Sequence, residues 1–294
     1  MAAALIASAT MAPAQSAAIP SAVIADPSPN AEHPAQLLQV RYPTGGVQVP
    51  ARLFLAAGEG PHPTVLLLHG FPGTELNLDL ARAIQRSGWN VMAIHYRGVW
   101  GAPGQFSFGH TIEDARAALT WLRDPSNAKR VDASRIVVLG HSMGGFDTVM
   151  IGDERVAGFV VISAANFSDW AAAADTPAKK AELVAELVKD ASFTNASATS
   201  LADEILANAK VWDWPRHAAK MAGHPVLTIS SDDGNEPYDR AVATAVEAAG
   251  GPVPTRIKFR TDHSYNDHRI ALQAAVIDWL LATFAGVGTG APRP

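Results

Sequence analysis

Residues 136–145 of the chain read IVVLGHSMGG, four apolar residues that run directly into a glycine-rich turn. The apolar run predicts a buried strand at 136–139, and the sequence from Ser142 onward predicts a helix. A strand that turns at once into a helix strains the residue at the turn, and its close neighbours must therefore be small. Gly140 and Gly144 meet this requirement on either side of Ser142. The G-x-S-x-G pattern thus predicts Ser142 as a nucleophile whose hydroxyl stands clear of the sheet.

The helix that follows Ser142 is also expected to supply a hydrogen-bond donor. The backbone N–H of Met143 lies at the helix N-terminus and points to where the negative oxygen of a tetrahedral intermediate forms. The alternative is a glycine-rich strand-to-helix turn without chemistry. The strand before the turn and the helix after it favour the catalytic interpretation.

The rest of the chain alternates short apolar runs with amphipathic stretches, the pattern of a mostly parallel sheet with helices on both faces. Strands are predicted at residues 36–40, 47–55, 64–69, 91–96, 136–139, 158–163, 226–230 and 256–259. Helices are predicted at residues 75–87, 112–122, 238–249 and 267–284, besides the helix after Ser142. We therefore expect an α/β fold with a mostly parallel central sheet of about eight strands, the first two forming an antiparallel hairpin.

The predicted strands and helices belong to one domain, residues 35–286, with one interruption. Residues 165–223 contain no strand pattern, only helical sequence rich in Ala, Lys and Glu, and are too long for a plain crossover. This stretch predicts a helical cap inserted over the C-terminal edge of the sheet. Residues 287–294 are expected to form a flexible tail.

Residues 1–34 precede the domain and predict a leader. Its small apolar residues end in Ala-Pro-Ala at 12–14, a pattern that signal peptidases cut, and a segment rich in Pro, Ser and Ala follows. Against a signal peptide, no Lys or Arg precedes the apolar residues. Export to the periplasm or the medium is the favoured interpretation, and a cytoplasmic protein with a disordered tail is the alternative.

Composition excludes several classes of protein. The 294 residues are 48% hydrophobic and 17% charged, with a formal net charge of −5 and no basic run, so we expect no nucleic-acid partner. No apolar stretch reaches the roughly 18 residues of a membrane span, and the N-terminal one is too interrupted. Without cysteine, metal-ligand patterns or nucleotide-binding loops, the sequence predicts neither a metal nor an organic cofactor. The oligomeric state is left open.

A second glycine-rich loop follows the predicted strand at 64–69. Residues 69–73 read His-Gly-Phe-Pro-Gly, in which two glycines allow a tight backbone and a proline stiffens it. Together with the turn at Ser142, this loop resembles the alpha/beta-hydrolase superfamily of serine hydrolases, specifically its dienelactone-hydrolase-like and prolyl-oligopeptidase-like branch. The resemblance covers residues 36–284 and implies that the N–H of Phe71 completes an oxyanion hole with that of Met143.

In this family the catalytic residues follow the chain order Ser, acid, His, which restricts the choice of base. His263 lies just after the last predicted strand and before the last helix, as the family's catalytic histidine does. His268 is expected inside that helix, where a solvated or capping role accounts for it. The resemblance therefore implies that His263 is the general base, with His268 as the alternative.

The acid is expected after the strand at 226–230, where Asp232 and Asp233 are neighbours. The run from Asp233 to Pro237 matches the D-x-x-x-P spacing common in the family, whereas Asp232 suits a turn. The family's usual glycine early in this loop is replaced by Ser230-Ser231, which leaves the register open by one residue. Asp233 is the first choice.

The predicted function is hydrolysis of an ester or related acyl bond of a small molecule through an acyl-enzyme intermediate. The alternatives are a serine peptidase of prolyl-oligopeptidase-like type and a non-catalytic binding module on the same fold. Three tryptophans, Trp100, Trp212 and Trp214, are candidates for the substrate pocket. Asp147, on the helix after Ser142, is expected to face solvent.

Overall fold

The computed structural model describes residues 18–152 and 155–285. The predicted signal-peptide stretch at residues 1–14 and the predicted tail at 287–294 lie outside the described residues. Within the described part, residues Ser21–Ile24 form one helical turn, α1. The Arg86 side chain donates hydrogen bonds to the carbonyls of Ala22 and Val23 at 2.6 and 3.4 Å, so this part of the leader packs against the domain.

Eight strands form one sheet in the order β1-β2-β4-β3-β5-β6-β7-β8. The pairs β1–β2 and β2–β4 are antiparallel, and all other neighbours are parallel. This arrangement confirms the α/β prediction of a mostly parallel sheet that opens with a hairpin. The strands are β1 (Gln36–Thr44), β2 (Val47–Leu55), β3 (His62–Leu68), β4 (Asn90–Ile94), β5 (Val131–His141), β6 (Gly158–Ile162), β7 (Val226–Ser230) and β8 (Thr255–Lys258).

Helices cover both faces of the sheet because buried side chains of the central strands alternate between two apolar clusters. Leu66 and Val138 pack with α3, α4, α8 and α9, whereas Val65 and Val137 pack with α2 and α10 on the opposite face. These helices are α2 (Leu78–Arg86), α3 (Phe108–Leu122), α4 (Met143–Ile151), α8 (Trp214–Ala219), α9 (Glu236–Ala248) and α10 (Arg269–Phe284).

Three further helices, which follow β6 and precede α8, lie in the stretch without predicted strands. They are α5 (Phe167–Ala173), α6 (Pro177–Ala191) and α7 (Ala198–Asn208). Side chains of Asn166, Thr176 and Ser197 accept hydrogen bonds from first-turn N–H groups and so start the three helices. Leu187 of α6 and Leu201 of α7 belong to the same apolar cluster as α3 and α4.

Several element bounds differ from the predicted ones, for local reasons. β5 begins at Val131, earlier than predicted. Its first residues are partly polar, so the apolar run at 136–139 does not mark them. α3 begins four residues earlier than predicted because the Ser107 hydroxyl accepts the N–H of His110 and caps the helix. α10 begins at Arg269, so His268 stands at its N-cap position rather than inside it.

No helix in the described part of the chain combines the length and the apolar character that crossing a bilayer requires.

Candidate active site

Ser142 stands between β5 and α4 in a strained backbone conformation, with φ 57° and ψ −118°. Its N–H donates to the carbonyl of Ile162 at 2.9 Å, and its carbonyl accepts the N–H groups of Phe146 and Ala165 at 3.0 Å each. A non-glycine residue at positive φ costs roughly 1–3 kcal/mol, and it persists only where the surroundings fix it. The sheet and the helix therefore hold Ser142 in the sharp turn that the sequence predicts.

The glycines around Ser142 allow backbone segments to approach closely. A Cβ atom at Gly140 would collide with the carbonyl of Gly144, and one at Gly144 would collide with that of Leu68. At Gly70, in the facing loop, a Cβ would lie 2.9 Å from the Ser142 Cβ and 3.4 Å from its Oγ. The bare backbone of Gly70 thus leaves open the space in front of the serine hydroxyl.

Phe71 and Met143 are the residues whose backbone N–H groups are expected from the sequence as oxyanion donors. Within the described ranges, neither N–H donates a hydrogen bond to a protein acceptor. For Met143 the reason is its place as the first residue of α4, where helix N–H groups have no intrahelical acceptor. Both residues line the same cavity as Ser142.

His263 and Asp233 form a close pair. The Nδ1–H of His263 donates to Oδ2 of Asp233 at 2.6 Å, and the Asp233 side chain is only 5% exposed. Burial acts to raise the pKa of Asp233, but hydrogen bonds from His263, the Asn235 N–H and Ser163 outweigh it. They hold the pKa of Asp233 well below its ordinary value. The carboxylate is therefore charged at neutral pH and accepts from the imidazole.

The alternative residues have other partners. The side chain of Asp232 is 51% exposed and lies 3.2 Å from the Lys258 ammonium, while its N–H donates to the Thr261 carbonyl. The Nδ1 of His268 lies 2.9 Å from Oδ1 of its neighbour Asp267. Neither Asp232 nor His268 lines the cavity at Ser142.

Two buried histidines support the loops of the site. The Nε2–H of His141 donates to the backbone carbonyl of His263 at 2.8 Å, and the two rings lie 4.7 Å apart between centroids. The Nδ1–H of His69 donates to the Gly70 carbonyl at 2.7 Å. Burial lowers the pKa of His141 to about 3 and that of His69 to about 4, so both are neutral donors.

A cavity of about 240 Å³ opens beside Ser142 and His263. Its apolar wall comes from α5 and α6, from the first residue of α4 and from the loop after β3. The residues are Phe71, Met143, Phe167, Trp170, Leu183 and Leu187. A wider depression of about 610 Å³ lies elsewhere, along α10, and neither Ser142 nor His263 lines it. The cavity at Ser142 is therefore the candidate substrate pocket.

The three tryptophans expected in the pocket do not line it, which corrects that prediction. Trp212 is buried edge-on against Phe146, with ring centroids 5.2 Å apart, and Trp214 donates its indole N–H to the Tyr238 carbonyl at 3.2 Å. Trp100 is half exposed, and its indole N–H donates to the carbonyl of Pro72 at 2.9 Å. The pocket tryptophan is Trp170 of α5 instead.

The prediction that Asp147 faces solvent is wrong. Its side chain is fully buried, and its Oδ1 accepts the Thr111 hydroxyl at 2.7 Å. Burial raises the pKa of Asp147 to about 8, against the lowering effect of the hydrogen bond from Thr111. Because every residue of α4 is buried, a helix of such uniformly apolar sequence was the signal that its acidic residue lies inside.

Among residues 18–152 and 155–285, no three His, Cys, Asp or Glu side chains come together as a metal ion requires.

Comparison with known proteins is consistent with this geometry. The alpha/beta hydrolase fold family matches residues 63–262. The esterase EstD of Thermotoga maritima is 29% identical over 128 residues, which cover 40% of this chain and 30% of EstD. Acylamino-acid-releasing enzyme 1 of Oryza sativa subsp. japonica is 29% identical over 115 residues, covering 35% of this chain and 14% of that enzyme. The matches thus span less than a third of each relative's length.

Among solved structures, an esterase of Pyrobaculum calidifontis superposes with a TM-score of 0.63. The sequence identity is 17%, and the match covers 86% of this chain and 87% of the esterase. This similarity concerns the fold.

Proposed function

Because the chain belongs to the alpha/beta hydrolase family, with the family match spanning residues 63–262, we propose that it is a serine hydrolase of ester or related acyl bonds. The observation that carries the proposal is the 2.6 Å pair of His263 and Asp233 beside the cavity that also contains the strained Ser142. The esterase named among the relatives supports an ester as the substrate.

In the proposed mechanism, Ser142 attacks the substrate carbonyl while Nε2 of His263 takes the hydroxyl proton. Asp233 binds Nδ1–H, which leaves Nε2 free as the base and stabilises the imidazolium that forms. The oxyanion accepts hydrogen bonds from the N–H groups of Phe71 and Met143, each donor contributing about 3–4 kcal/mol in comparable sites.

The tetrahedral intermediate then expels the alcohol, which takes the proton from His263 and leaves an ester of Ser142. A water molecule attacks this acyl-enzyme after losing a proton to the same imidazole. Collapse of the second intermediate returns the proton to Ser142 and releases the carboxylic acid. In this scheme α5 and α6 act as the cap that covers the acyl-enzyme, since their side chains wall the cavity.

The test combines active-site labelling with turnover. A fluorophosphonate probe is expected to label the wild-type protein at Ser142, and Ser142→Ala is expected to lose labelling and at least about 10⁴-fold in kcat for p-nitrophenyl butyrate. The matched control is Ser192→Ala, an exposed serine outside the cavity, which keeps both. Circular dichroism verifies that all three proteins are folded. Unchanged labelling of Ser142→Ala contradicts the proposal.

A second candidate is cleavage of an acylated amino acid from a peptide, because one relative is named an acylamino-acid-releasing enzyme. The same serine, base and oxyanion donors serve an amide. Comparison of kcat/KM for acetyl-alanine p-nitroanilide and p-nitrophenyl butyrate decides between the two bonds. A folded protein that neither turns over nor binds the fluorophosphonate is instead a binding module.

A further inference from the structure

We propose that the cavity at Ser142 continues into a groove along α6, which binds a long, non-anionic arm of the substrate. This inference rests on the proposed function and adds a substrate class to it. The groove begins at the catalytic cavity and passes Trp170. It ends in a second cavity of about 380 Å³ between α5 and α6.

One face of α6 lines both cavities. Its residues in the catalytic cavity are Leu183, Glu186, Leu187 and Asp190, and those in the second cavity are Lys179, Glu182, Leu183 and Glu186. Their spacing of three and four residues places them in a single row along the helix. At 1.5 Å per residue, the row from Lys179 to Asp190 is roughly 16 Å long. The two cavities are therefore successive parts of one surface.

Three side chains, those of Trp170, Leu183 and Glu186, line both cavities and stand at the junction. The Trp170 ring packs edge-on against the buried Phe167, with centroids 5.0 Å apart, and stays partly exposed toward the groove. Leu183 is 7% exposed. An apolar chain that leaves the catalytic cavity thus meets an indole ring and a leucine before it reaches the second cavity.

The sizes of the two cavities favour a substrate that is longer than the catalytic cavity alone can hold. At about 240 Å³ the catalytic cavity is smaller than the roughly 300–1,000 Å³ of pockets for drug-sized ligands, and the two cavities together fall within that range. Each methylene buried in the groove is worth about 4-fold in kcat/KM. Substrates whose longer arm reaches past Trp170 are therefore the preferred ones.

The charge of the groove excludes anionic arms. Glu182, Glu186 and Asp190 border it, and within the described ranges none of them has an ion-pair partner. The cation in the groove, Lys179, is paired with Asp175 at 2.9 Å. A carboxylate at the end of the arm meets unpaired negative charge, whereas an uncharged or cationic end does not.

The experiment measures kcat/KM for two ester series, below the critical micelle concentration. In one the acyl chain of p-nitrophenyl esters grows from two to ten carbons, and in the other the alcohol chain of acetates grows likewise. In one series, kcat/KM is expected to rise up to about 16-fold per added pair of methylenes beyond four carbons, at about 4-fold for each methylene. The responding series identifies the arm that occupies the groove. A flat or falling profile in both series overturns the proposal.

A substitution inside the groove sharpens this test. Ala173 lines only the second cavity, so Ala173→Trp fills it and is expected to lower the ratio of kcat/KM for the eight- and two-carbon esters at least 10-fold. The neighbouring Ala172 is also exposed and lines neither cavity, so Ala172→Trp keeps the wild-type ratio. Equal ratios in the two variants contradict the groove.

The charge is tested with substrates of equal length. The p-nitrophenyl monoester of octanedioic acid is expected to react at least 10-fold more slowly than p-nitrophenyl octanoate, and Glu182→Lys reduces this difference. The exposed Glu247 of α9 lies outside both cavities, so Glu247→Lys makes the same charge change without effect.

Fluorophosphonate labelling distinguishes a failure of the groove from a failure of the proposed function. Labelled protein without length or charge preference refutes the groove alone, and unlabelled protein refutes the proposed function.

Discussion

At the carboxyl ends of the parallel strands, Ser142 follows β5 directly, and its backbone is hydrogen-bonded to β6 on one side and to α4 on the other. This region, the turn at Ser142 together with the loop at residues 69–73, is called the edge. Across the cavity, the wall consists of side chains from α5 and α6, whose apolar members pack into the same cluster as α3 and α4. The edge is fixed by backbone hydrogen bonds and by glycines that tolerate no Cβ. The wall is fixed by the fit of rings and aliphatic chains.

Because of this difference, substitutions at the edge are expected to change the rate of the reaction, and substitutions in the wall are expected to change the choice of substrate. A change at the edge displaces reacting atoms, and misplacement by about 1 Å costs on the order of 100-fold in rate. A change in the wall alters which substrates fit, and each methylene of the substrate that is bound or lost there changes kcat/KM about 4-fold. The following predictions test whether the two regions are as distinct as their construction indicates.

The largest effect is expected at the acid. Asp233→Asn keeps the shape of the side chain but favours the wrong tautomer of His263, and about 10⁴-fold is lost in kcat at neutral pH. The adjacent Asp232→Asn removes an exposed ion pair with Lys258 and changes kcat less than about 3-fold. Steady-state kinetics with p-nitrophenyl butyrate measures both. A larger loss for Asp232→Asn would place the catalytic acid one residue earlier.

A smaller loss is expected at Gly70, the point where the edge meets the cavity. In Gly70→Ala the new Cβ lies 2.9 Å from the Ser142 Cβ and pushes the loop away from the serine. We expect a fall of about 10²–10³-fold in kcat, the size of losing one oxyanion donor. Gly223→Ala is the control, since its Cβ meets open space and its backbone is not in the left-handed region. Equal activity of both variants argues against the close approach.

The buried Asp147 is expected to make the free energy of unfolding depend on pH. Asp147 faces Thr111 and Tyr96, with Asp114 and Arg116 as the nearby charges. Its pKa rises on folding from 3.8 to about 8, so the folded state holds a proton that the unfolded state releases between these values. The stability that this proton provides is fully present below pH 3.8. It is lost as the pH rises to about 8, by at most about 1.4 kcal/mol per pH unit.

Asp147→Asn does not titrate, so its stability relative to the wild type is expected to increase steadily from pH 5 to pH 8. Urea unfolding of both proteins across this range measures the difference, which cancels the contributions of all other titrating groups. A constant difference across the range would mean that Asp147 does not change protonation on folding.

The contrast between edge and wall also explains what the sequence predicts. Short-range patterns specify the edge, because G-x-S-x-G and the glycines of residues 69–73 constrain backbone within a few residues. The sequence accordingly predicts the sheet, the sharp turn at Ser142 and the family. It also selects Asp233 and His263, which the structure places 2.6 Å apart although thirty positions separate them.

The wall depends on packing between distant elements, which no local pattern records. Trp212 and Trp214 lie in the right segment, yet their rings turn toward Phe146 and α9 rather than the cavity. Trp170 comes from the same segment, without a motif that distinguishes it. Asp147 differs, because the apolar residues around the whole circumference of its helix are a local sign of burial, which the prediction of a solvent-facing side chain overlooked.

The smallest effect is expected at Trp100, which the sequence assigns to the pocket and the structure assigns to the edge. Its indole N–H holds the Pro72 carbonyl at 2.9 Å, one residue after Phe71, and its ring stacks on Phe193. Trp100→Phe removes the hydrogen bond and keeps an aromatic ring. One such bond is worth about 1 kcal/mol, so kcat is expected to fall about 5-fold through a less firmly held oxyanion N–H.

Because Trp100 lies outside the cavity lining, KM and the dependence on chain length are expected to stay unchanged in Trp100→Phe. Phe193→Leu is the matched control, since it removes the stacking partner and leaves the bond to Pro72 in place. A uniform loss of kcat over all ester lengths in Trp100→Phe, absent from Phe193→Leu, assigns Trp100 to the edge. A loss that grows with the chain length of the substrate would instead show that Trp100 affects substrate fit. Trp100 would then belong to the wall as well as to the edge.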